Sequence, residues 1–477
     1  MVNYFIGIDV GTQGVRTVFV DQNGNVLAAS SVPFTLTASS REEQSPQHWW
    51  ESCREAMGKM LELLPPDVDR SAVLAVAVAS TSGTVIPLDS EYQPLHDALM
   101  YSDTRSASEG RLCQEVAERH VVDGYTGFNA SSGLSKMVWY TNRFPETAHR
   151  IGKWIHAADY ITGMLSGNFD TTDYTNALKS GYDVGKGEWP PYLTTQLPLK
   201  KEWLQEVVAS GEPVGRLHDE LGKAWGLPQI QVVAGMTDGC ASQIASGAVK
   251  PGDWNTTIGT TLVIKGVTKV AINDPQGRIY SHRHPDGYWM PGGASNTGAD
   301  WVSTDFGTAL QHLNELAATL IPTGKLAWPL KQQGERFPFI APHARGFAPD
   351  GLSEAERFAA NMEGVAYIER LAYELIEQLS GERVAAVYTA GGGSNSDVWL
   401  TIRSNVLKLP IYKSKEANGA VGAAIGAASK TYYGSIAEAA EQMTTIEREI
   451  VPEAELMEAY EVNYHHFIDE MKKRKYI

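Results

Sequence analysis

Apolar and polar positions along the chain change period at definable points, and those points predict its elements. Tyr4, Phe5, Ile6, Ile8 and Val10 form a short apolar run that breaks at Gly11-Thr12-Gln13-Gly14 and resumes over Val15, Val18, Phe19 and Val20. Two strands joined by a glycine-bounded hairpin fit this pattern, and Asn23-Gly24 turns the chain into a third strand over residues 26–32. Over residues 46–64 the period lengthens: Trp49, Trp50, Cys53, Met57, Met60, Leu61 and Leu64 recur at helical spacing, with Glu51, Arg54, Glu55 and Lys59 on the other face. Residues 73–79 read as a buried strand. It empties into the small polar turn Thr81-Ser82-Gly83-Thr84, and a short strand follows, ending near Asp89.

Residues 98–183 are rich in glycine and aromatics and read as loops and helices inserted into this α/β domain, predicted to shape a substrate pocket. Residues 232–235 form another strand, ending in Met236-Thr237-Asp238-Gly239 ahead of a short helix. Beyond Pro251-Gly252 the opening pattern recurs as a strand over 254–258, a polar turn Gly259-Thr260-Thr261 and a returning strand over 262–267. This internal repeat predicts two domains of related topology, residues 1–247 and 248–477. In the second, a long helix is expected over 353–379, then a strand over 385–390, the run Gly391-Gly392-Gly393 and a helix from about Asp397. A final amphipathic helix over 453–475 has both domains as candidate partners, including a return onto the first.

Composition agrees with two large globular domains: 477 residues, 43% hydrophobic and 20% charged. A net charge of -16 argues against nucleic acid or an anionic membrane as partner. A small anionic ligand stays open, because local N–H groups and a divalent cation hold a nucleotide whatever the distant surface carries. Cys53, Cys113 and Cys240 form no CxxC pair, so neither a disulfide framework nor a zinc site is implied. No basic stretch precedes an apolar run at the N-terminus, and no apolar run is long enough for a bilayer. A cytoplasmic protein acting on small molecules is expected, and a homodimer is compatible with the sequence.

The first hairpin carries candidate chemistry. Gly11 and Gly14 allow a tight turn in which backbone N–H groups, Thr12 and Gln13 converge on a phosphate, with Asp9 facing a metal-bound phosphate. An ordinary hairpin with turn glycines is the alternative. This hairpin, the Thr237-Asp238-Gly239 turn, the second hairpin at Gly259-Thr260-Thr261, the triple glycine and the late run Glu416-Ala417-Asn418-Gly419-Ala420-Val421-Gly422 occur in the order found in FGGY carbohydrate kinases, which the chain resembles over nearly its whole length. The resemblance implies an α/β protein with the two-domain actin-like (ribonuclease H-like) ATPase fold, phosphorylating a sugar with MgATP in an interdomain catalytic cleft. Within the family the chain looks most like D-ribulose kinases, through Thr81-Ser82-Gly83-Thr84, Asp173-Tyr174-Thr175-Asn176-Ala177-Leu178-Lys179-Ser180-Gly181-Tyr182 and Gly287-Tyr288-Trp289. Typical xylulose kinases have Met-His-Gly where Ser82 and its neighbours stand.

Phosphoryl transfer requires positioned phosphates, neutralised charge and an oriented acceptor hydroxyl. The resemblance implies Asp238 as the base, the alternative being a helix N-cap. It implies Asp9 as a water-mediated magnesium contact, with Thr12, Gln13 and Arg16 on the phosphates from one domain and Gly259, Thr260 and Thr261 from the other. Gly391, Gly392 and Gly393 suit close approach of the adenosine, with Asn395 or Ser396 as polar partners. Ser295 and Asn296 either line the nucleotide cleft or cap a helix near Gly298. For the sugar, Ser82, Asp238 and Asp103 are the candidates, and Asp103 has the equal alternative of an ion pair with Arg105. His282 and His284 lack metal-ligand spacing. The expected function is ATP-dependent phosphorylation of a pentulose at its terminal hydroxyl, D-ribulose first. D-xylulose or a pentitol is the nearest alternative, and a non-catalytic actin-like nucleotide sensor is the alternative of another class.

Overall fold

The computed structural model describes residues 2–37, 39–121, 124–307 and 310–477. They form two compact units, neither continuous in sequence. The first comprises the chain up to Ala245 together with His282–Gly287 and Glu416–Thr444; the second comprises Ser246–Ser281, Tyr288–Lys415 and Thr445–Ile477.

In the first unit Tyr4–Gly11 pairs antiparallel with Gly14–Asp21, which pairs antiparallel with Val26–Pro33. On its other side Tyr4–Gly11 runs parallel to Val73–Ser80, followed by parallel Gln231–Val233 and antiparallel Pro213–Arg216. The second unit repeats this order. Asp253–Ile258 is antiparallel to Leu262–Gly266, which is antiparallel to Trp289–Ser295, and on its other side come parallel Ala386–Ala390, parallel Ile411–Ser414 and antiparallel Ile446–Ile450.

Both faces of the first sheet are covered, and the sequence explains how. The helix Pro46–Glu62 starts at Ser45, whose hydroxyl accepts from His48 N (3.3 Å), with proline at its first turn. It buries Trp49, Trp50, Cys53, Met57 and Met60 in one core with Ile6, Ile8, Val10, Val76 and Val78, each large side chain contributing about 1.5–3 kcal/mol. The opposite face carries Gly419–Thr431, a helix of small residues that packs on Tyr4–Gly11 and Val73–Ser80. Its backbone lies so close that a Cβ on Gly7 would stand 1.8 Å from Ala420 O, and one on Gly422 1.9 Å from Ala241 O. Residues 416–444 therefore belong to the first unit, not to a second domain running unbroken from 248. Asp286 holds the short segment His282–Gly287 to that unit by accepting from Ile436 N and Ala437 N, both at 3.0 Å.

In the second unit the helix Glu354–Ser380 opens with a capping box between Ser353 and Glu356 and closes at Gly381, with φ +70°. The terminal helix Ala454–Lys473 packs against it in the same unit, so of its two candidate partners it takes the second domain and does not return onto the first. Tyr460 OH donates to Glu363 Oε1 (3.1 Å), Tyr464 OH donates to Glu374 Oε2 (2.5 Å), and Arg370 donates to both carboxylate oxygens of Glu461. Tyr460, Tyr464, Phe467 and Met471 add an apolar stripe to the core below. No described helix is long and apolar enough to cross a membrane.

Candidate active site

The first hairpin is closed by a two-residue turn, Thr12-Gln13, between the paired Gly11 and Gly14. Gly14 is required by crowding as well as by the turn, since a Cβ there would lie 2.5 Å from Val32 O. The turn carbonyls are engaged: Phe34 N donates to Gln13 O (2.8 Å) and Gln44 Nε2 to Thr12 O (3.1 Å). Asp9, Thr12, Gln13 and Arg16 line one pocket of roughly 700 Å³, bordered also by Arg41, Tyr101 and Ser102.

Asp9 sits near the carboxyl end of its strand beside the start of the Gly419–Thr431 helix, where a Cβ on Gly419 would lie 2.6 Å from Asp9 Oδ2. Its Oδ1 is buried and has no hydrogen-bond partner. Burial first, then the nearby Asp238 charge, raise its pKa to about 7 against the pull of Arg16. Asp238 begins the helix Asp238–Ser246 directly after Met236–Thr237, and its Oδ1 accepts from Gly239 N at 2.7 Å. Met236–Thr237 runs parallel to Val73–Ser80, with Thr237 opposite Ser80. Asp9, Ser82 and Asp238 are thus gathered at the carboxyl ends of neighbouring parallel strands, where open α/β sheets place ligands.

Ser82 Oγ is also buried without a partner, in a turn held by a 2.8 Å bond between the Thr81 and Thr84 hydroxyls. The next residue, Gly83, has φ +85° and approaches Ser131 O so closely that a Cβ would stand 2.3 Å away. Asp103 is held differently. Its Oδ1 accepts from Arg105 Nε (2.9 Å), its Oδ2 accepts from Arg105 Nη2 (2.8 Å), and Arg105 also reaches Glu43, so the ion-pair alternative describes it. One residue nearby carried no sequence signal beyond its helix: Lys136 is fully buried, with Nζ donating to Ala130 O. Burial lowers its pKa to about 7, with Asp103 opposing and Lys179 adding to the shift.

In the second unit the 259–261 turn is braced by its neighbours. Gly259 N donates to Thr261 O (3.0 Å), Ala299 N to Gly259 O (2.7 Å), and a Cβ on Gly298 would lie 2.3 Å from Thr260 O. Ser295 Oγ (2.8 Å) and Thr297 Oγ1 (2.9 Å) donate to Glu335 Oε2, and Asn296 N donates to Glu335 Oε1 (2.7 Å). The helix here begins at Asp300, so Ser295 and Asn296 tie the loop to Glu335 rather than cap it. Gly391 has φ +81° and would place a Cβ 2.5 Å from Ile258 O, so the triple glycine packs on the strand that leads into the second hairpin. Asn395 Oδ1 accepts from Lys413 Nζ at 3.2 Å.

Two family models cover most of the chain: residues 4–245 match the N-terminal domain, and residues 254–431 the C-terminal domain, of the FGGY family of carbohydrate kinases. The chain is 26% identical to a xylulose kinase of Bacillus subtilis, covering 96% of this chain and 94% of that protein. It is 25% identical to a Bacillus subtilis gluconokinase, covering 86% of this chain and 83% of that protein. Among solved structures it resembles a xyloylose kinase from Brucella ovis, with TM-score 0.87, 25% identity and 99% of each chain covered. The fold is also that of a Plasmodium falciparum glycerol kinase with ADP, at TM-score 0.83, 15% identity and 98% coverage of each chain. The sheet order repeated in both units is therefore the actin-like kinase fold, and the non-catalytic sensor reading gives way to an ATP-dependent sugar phosphotransferase: the chain belongs to the FGGY family of carbohydrate kinases.

Proposed function

We propose that this sugar kinase phosphorylates a ketopentose at its terminal hydroxyl, with D-xylulose the leading substrate and Asp238 the general base. The observation that carries the reading is the strand-end group in the first unit: Asp9 and Asp238 within electrostatic reach, beside buried Asp9 Oδ1 and Ser82 Oγ atoms that have no partner in the protein. Unpaired buried polar atoms are costly, so a ligand that completes them is favoured over one that does not. Asp238, anchored by the first amide of its helix, orients the acceptor hydroxyl and takes its proton as the bond from that oxygen to the γ-phosphorus forms and the bond from the γ-phosphorus to the leaving ADP oxygen breaks. Ser82 hydrogen-bonds the sugar.

Thr12, Gln13 and Arg16 bind ATP phosphates, as do Gly259, Thr260 and Thr261. Gly391, Gly392 and Gly393 accommodate the adenosine, and Asn395 supplies a polar edge. The unsatisfied Asp9 Oδ1 fits a water of a bound magnesium ion, which keeps several waters and needs few carboxylates. When bound, magnesium neutralises charge on the phosphates. The division of labour between a sugar-binding unit and a nucleotide-binding unit belongs to this proposal.

The similar proteins described as xylulose kinases favour D-xylulose over the D-ribulose expected from sequence. D-Ribulose is the second reading, favoured by Ser82 in the place where typical xylulose kinases carry Met-His-Gly. The test is ADP release from MgATP across D-xylulose, D-ribulose, L-ribulose, L-xylulose, ribitol, gluconate and no sugar, with Asp238→Ala alongside. D-Xylulose is expected to give the highest kcat/KM, and the variant to lower turnover at least about 100-fold. A D-ribulose maximum promotes the second reading, and a gluconate maximum overturns both.

A further inference from the structure

The base proposed above stands directly after a peptide that is held from an unexpected direction. The strand Met236–Thr237 has a ladder partner in Val73–Ser80. The Thr237 amide is taken by a side chain, Thr175 Oγ1, at 2.8 Å, across 62 residues of sequence. Thr175 Oγ1 in turn donates its proton to Asp173 Oδ1 at 2.6 Å. Asp173 is fully buried and holds four donors: besides that hydroxyl, Thr175 N (2.7 Å), Asn176 Nδ2 (2.5 Å) and Ser210 Oγ (3.1 Å).

A carboxylate that accepts four hydrogen bonds has its geometry closely specified, and the hydroxyl whose proton it takes turns its lone pairs away from the carboxylate, free to accept the amide. Burial and the neighbouring Asp159 raise the Asp173 pKa against these bonds. Asp173 also N-caps the one-turn helix Tyr174–Ala177. A cap explains the bond to Thr175 N, but it requires neither the hydroxyl bond nor the reach to Thr237.

We propose that Asp173 and Thr175 are positioning residues for phosphoryl transfer, fixing the Thr237 peptide and so aiming the Asp238 carboxylate at the acceptor hydroxyl. The inference rests on the reading of Asp238 as base and deepens it. Thr175→Val keeps the side-chain volume and removes both hydrogen bonds, while Thr175→Ser restores them.

The test measures kcat, KM for sugar and MgATP, and Tm for both variants and for Asp238→Asn. Thr175→Val is expected to lower kcat about tenfold with both KM values within about twofold, and Thr175→Ser to recover most of the loss, because misaimed catalytic groups lose rate rather than binding. A purely structural bond predicts a lower Tm at unchanged kcat, and that result overturns the inference. If Thr175→Val does not fold, Asp173→Asn keeps an acceptor for the Thr175 amide and is expected to show the same split at smaller size; unchanged kcat there also overturns it. Asp238→Asn separates the two claims. Loss of turnover there with wild-type kcat in Thr175→Val removes the positioning role alone, whereas retained turnover in Asp238→Asn removes the base and the positioning role with it.

Discussion

The two hairpins share one topology and differ in one position that matters. When Gly11-Thr12 is set against Gly259-Thr260, Asp9 corresponds to Thr257. Thr257 Oγ1 donates to Asn255 Oδ1 at 2.9 Å, so the side chain at this position is paired within its own strand. Asp9 Oδ1 is buried without a partner, and burial with the Asp238 charge raises its pKa to about 7. At this pair of positions one copy of the duplicated scaffold binds its polar group internally and the other leaves a carboxylate oxygen unpaired, although Asn255 Nδ2 in the second copy is also buried without a partner. Partial satisfaction of buried polar groups marks functional sites more sharply than the shared backbone pattern does.

The largest expected break comes from the strand-end acids. Asp238→Ala should lower kcat by about 100- to 10,000-fold, the usual range for removing a general base, in the ADP-release assay. Asp9→Asn should lower kcat by about 100-fold or more and shift activation toward higher MgCl2, whereas Thr257→Val, its counterpart, should change kcat by less than about threefold. Equal losses at the two positions would dissolve the contrast.

The glycines that brace the hairpins sharpen it further. Gly419→Ala puts a methyl 2.6 Å from Asp9 Oδ2. It also adds helix propensity worth up to about 1 kcal/mol, so kcat should fall about tenfold while Tm stays nearly constant. Gly391→Ala must adopt φ +81° and stands 2.5 Å from Ile258 O. It should cost about 1–3 kcal/mol, read as a lower Tm.

The last effect, read in stability against pH and not in activity, concerns a buried acid that, unlike Asp9, is satisfied. Glu363 accepts from Thr323 N (2.8 Å), Thr323 Oγ1 and Tyr460 OH (3.1 Å), yet burial raises its pKa from 4.5 to about 7. Its folded pKa lies above the unfolded one, so its protonated form contributes stability that is fully present below pH 4.5 and lost as pH rises through about 7. Glu363→Gln should flatten that part of the stability–pH curve, an effect of up to about 3 kcal/mol in denaturant titrations at several pH values.

Much of this was legible along the chain. The hairpins announce themselves by apolar runs broken at Gly11 and Gly259, and the Pro46–Glu62 and Glu354–Ser380 helices by their apolar stripes. Other features were not. The Gly419–Thr431 helix follows second-unit sequence but packs on the first sheet, because its small residues fit against Gly7, a complementarity with no local signature. Asp103 offered two readings until the structure placed both its oxygens on Arg105. Lys136 lies in the stretch read only as inserted loops and helices, and packing alone reveals its buried amine donating to Ala130 O.

By itself the sequence determined the periods and turns of the elements and the repeated hairpin, because these depend on contacts between residues close along the chain, while the fold class followed from the resemblance of its ordered motifs to the FGGY kinases. Tertiary structure alone decided which unit residues 416–444 join, that Thr175 holds the Thr237 peptide, and that Asp9 keeps an unsatisfied oxygen. Those outcomes depend on distances between residues far apart in sequence and on the exclusion of water from groups whose partners no local pattern names.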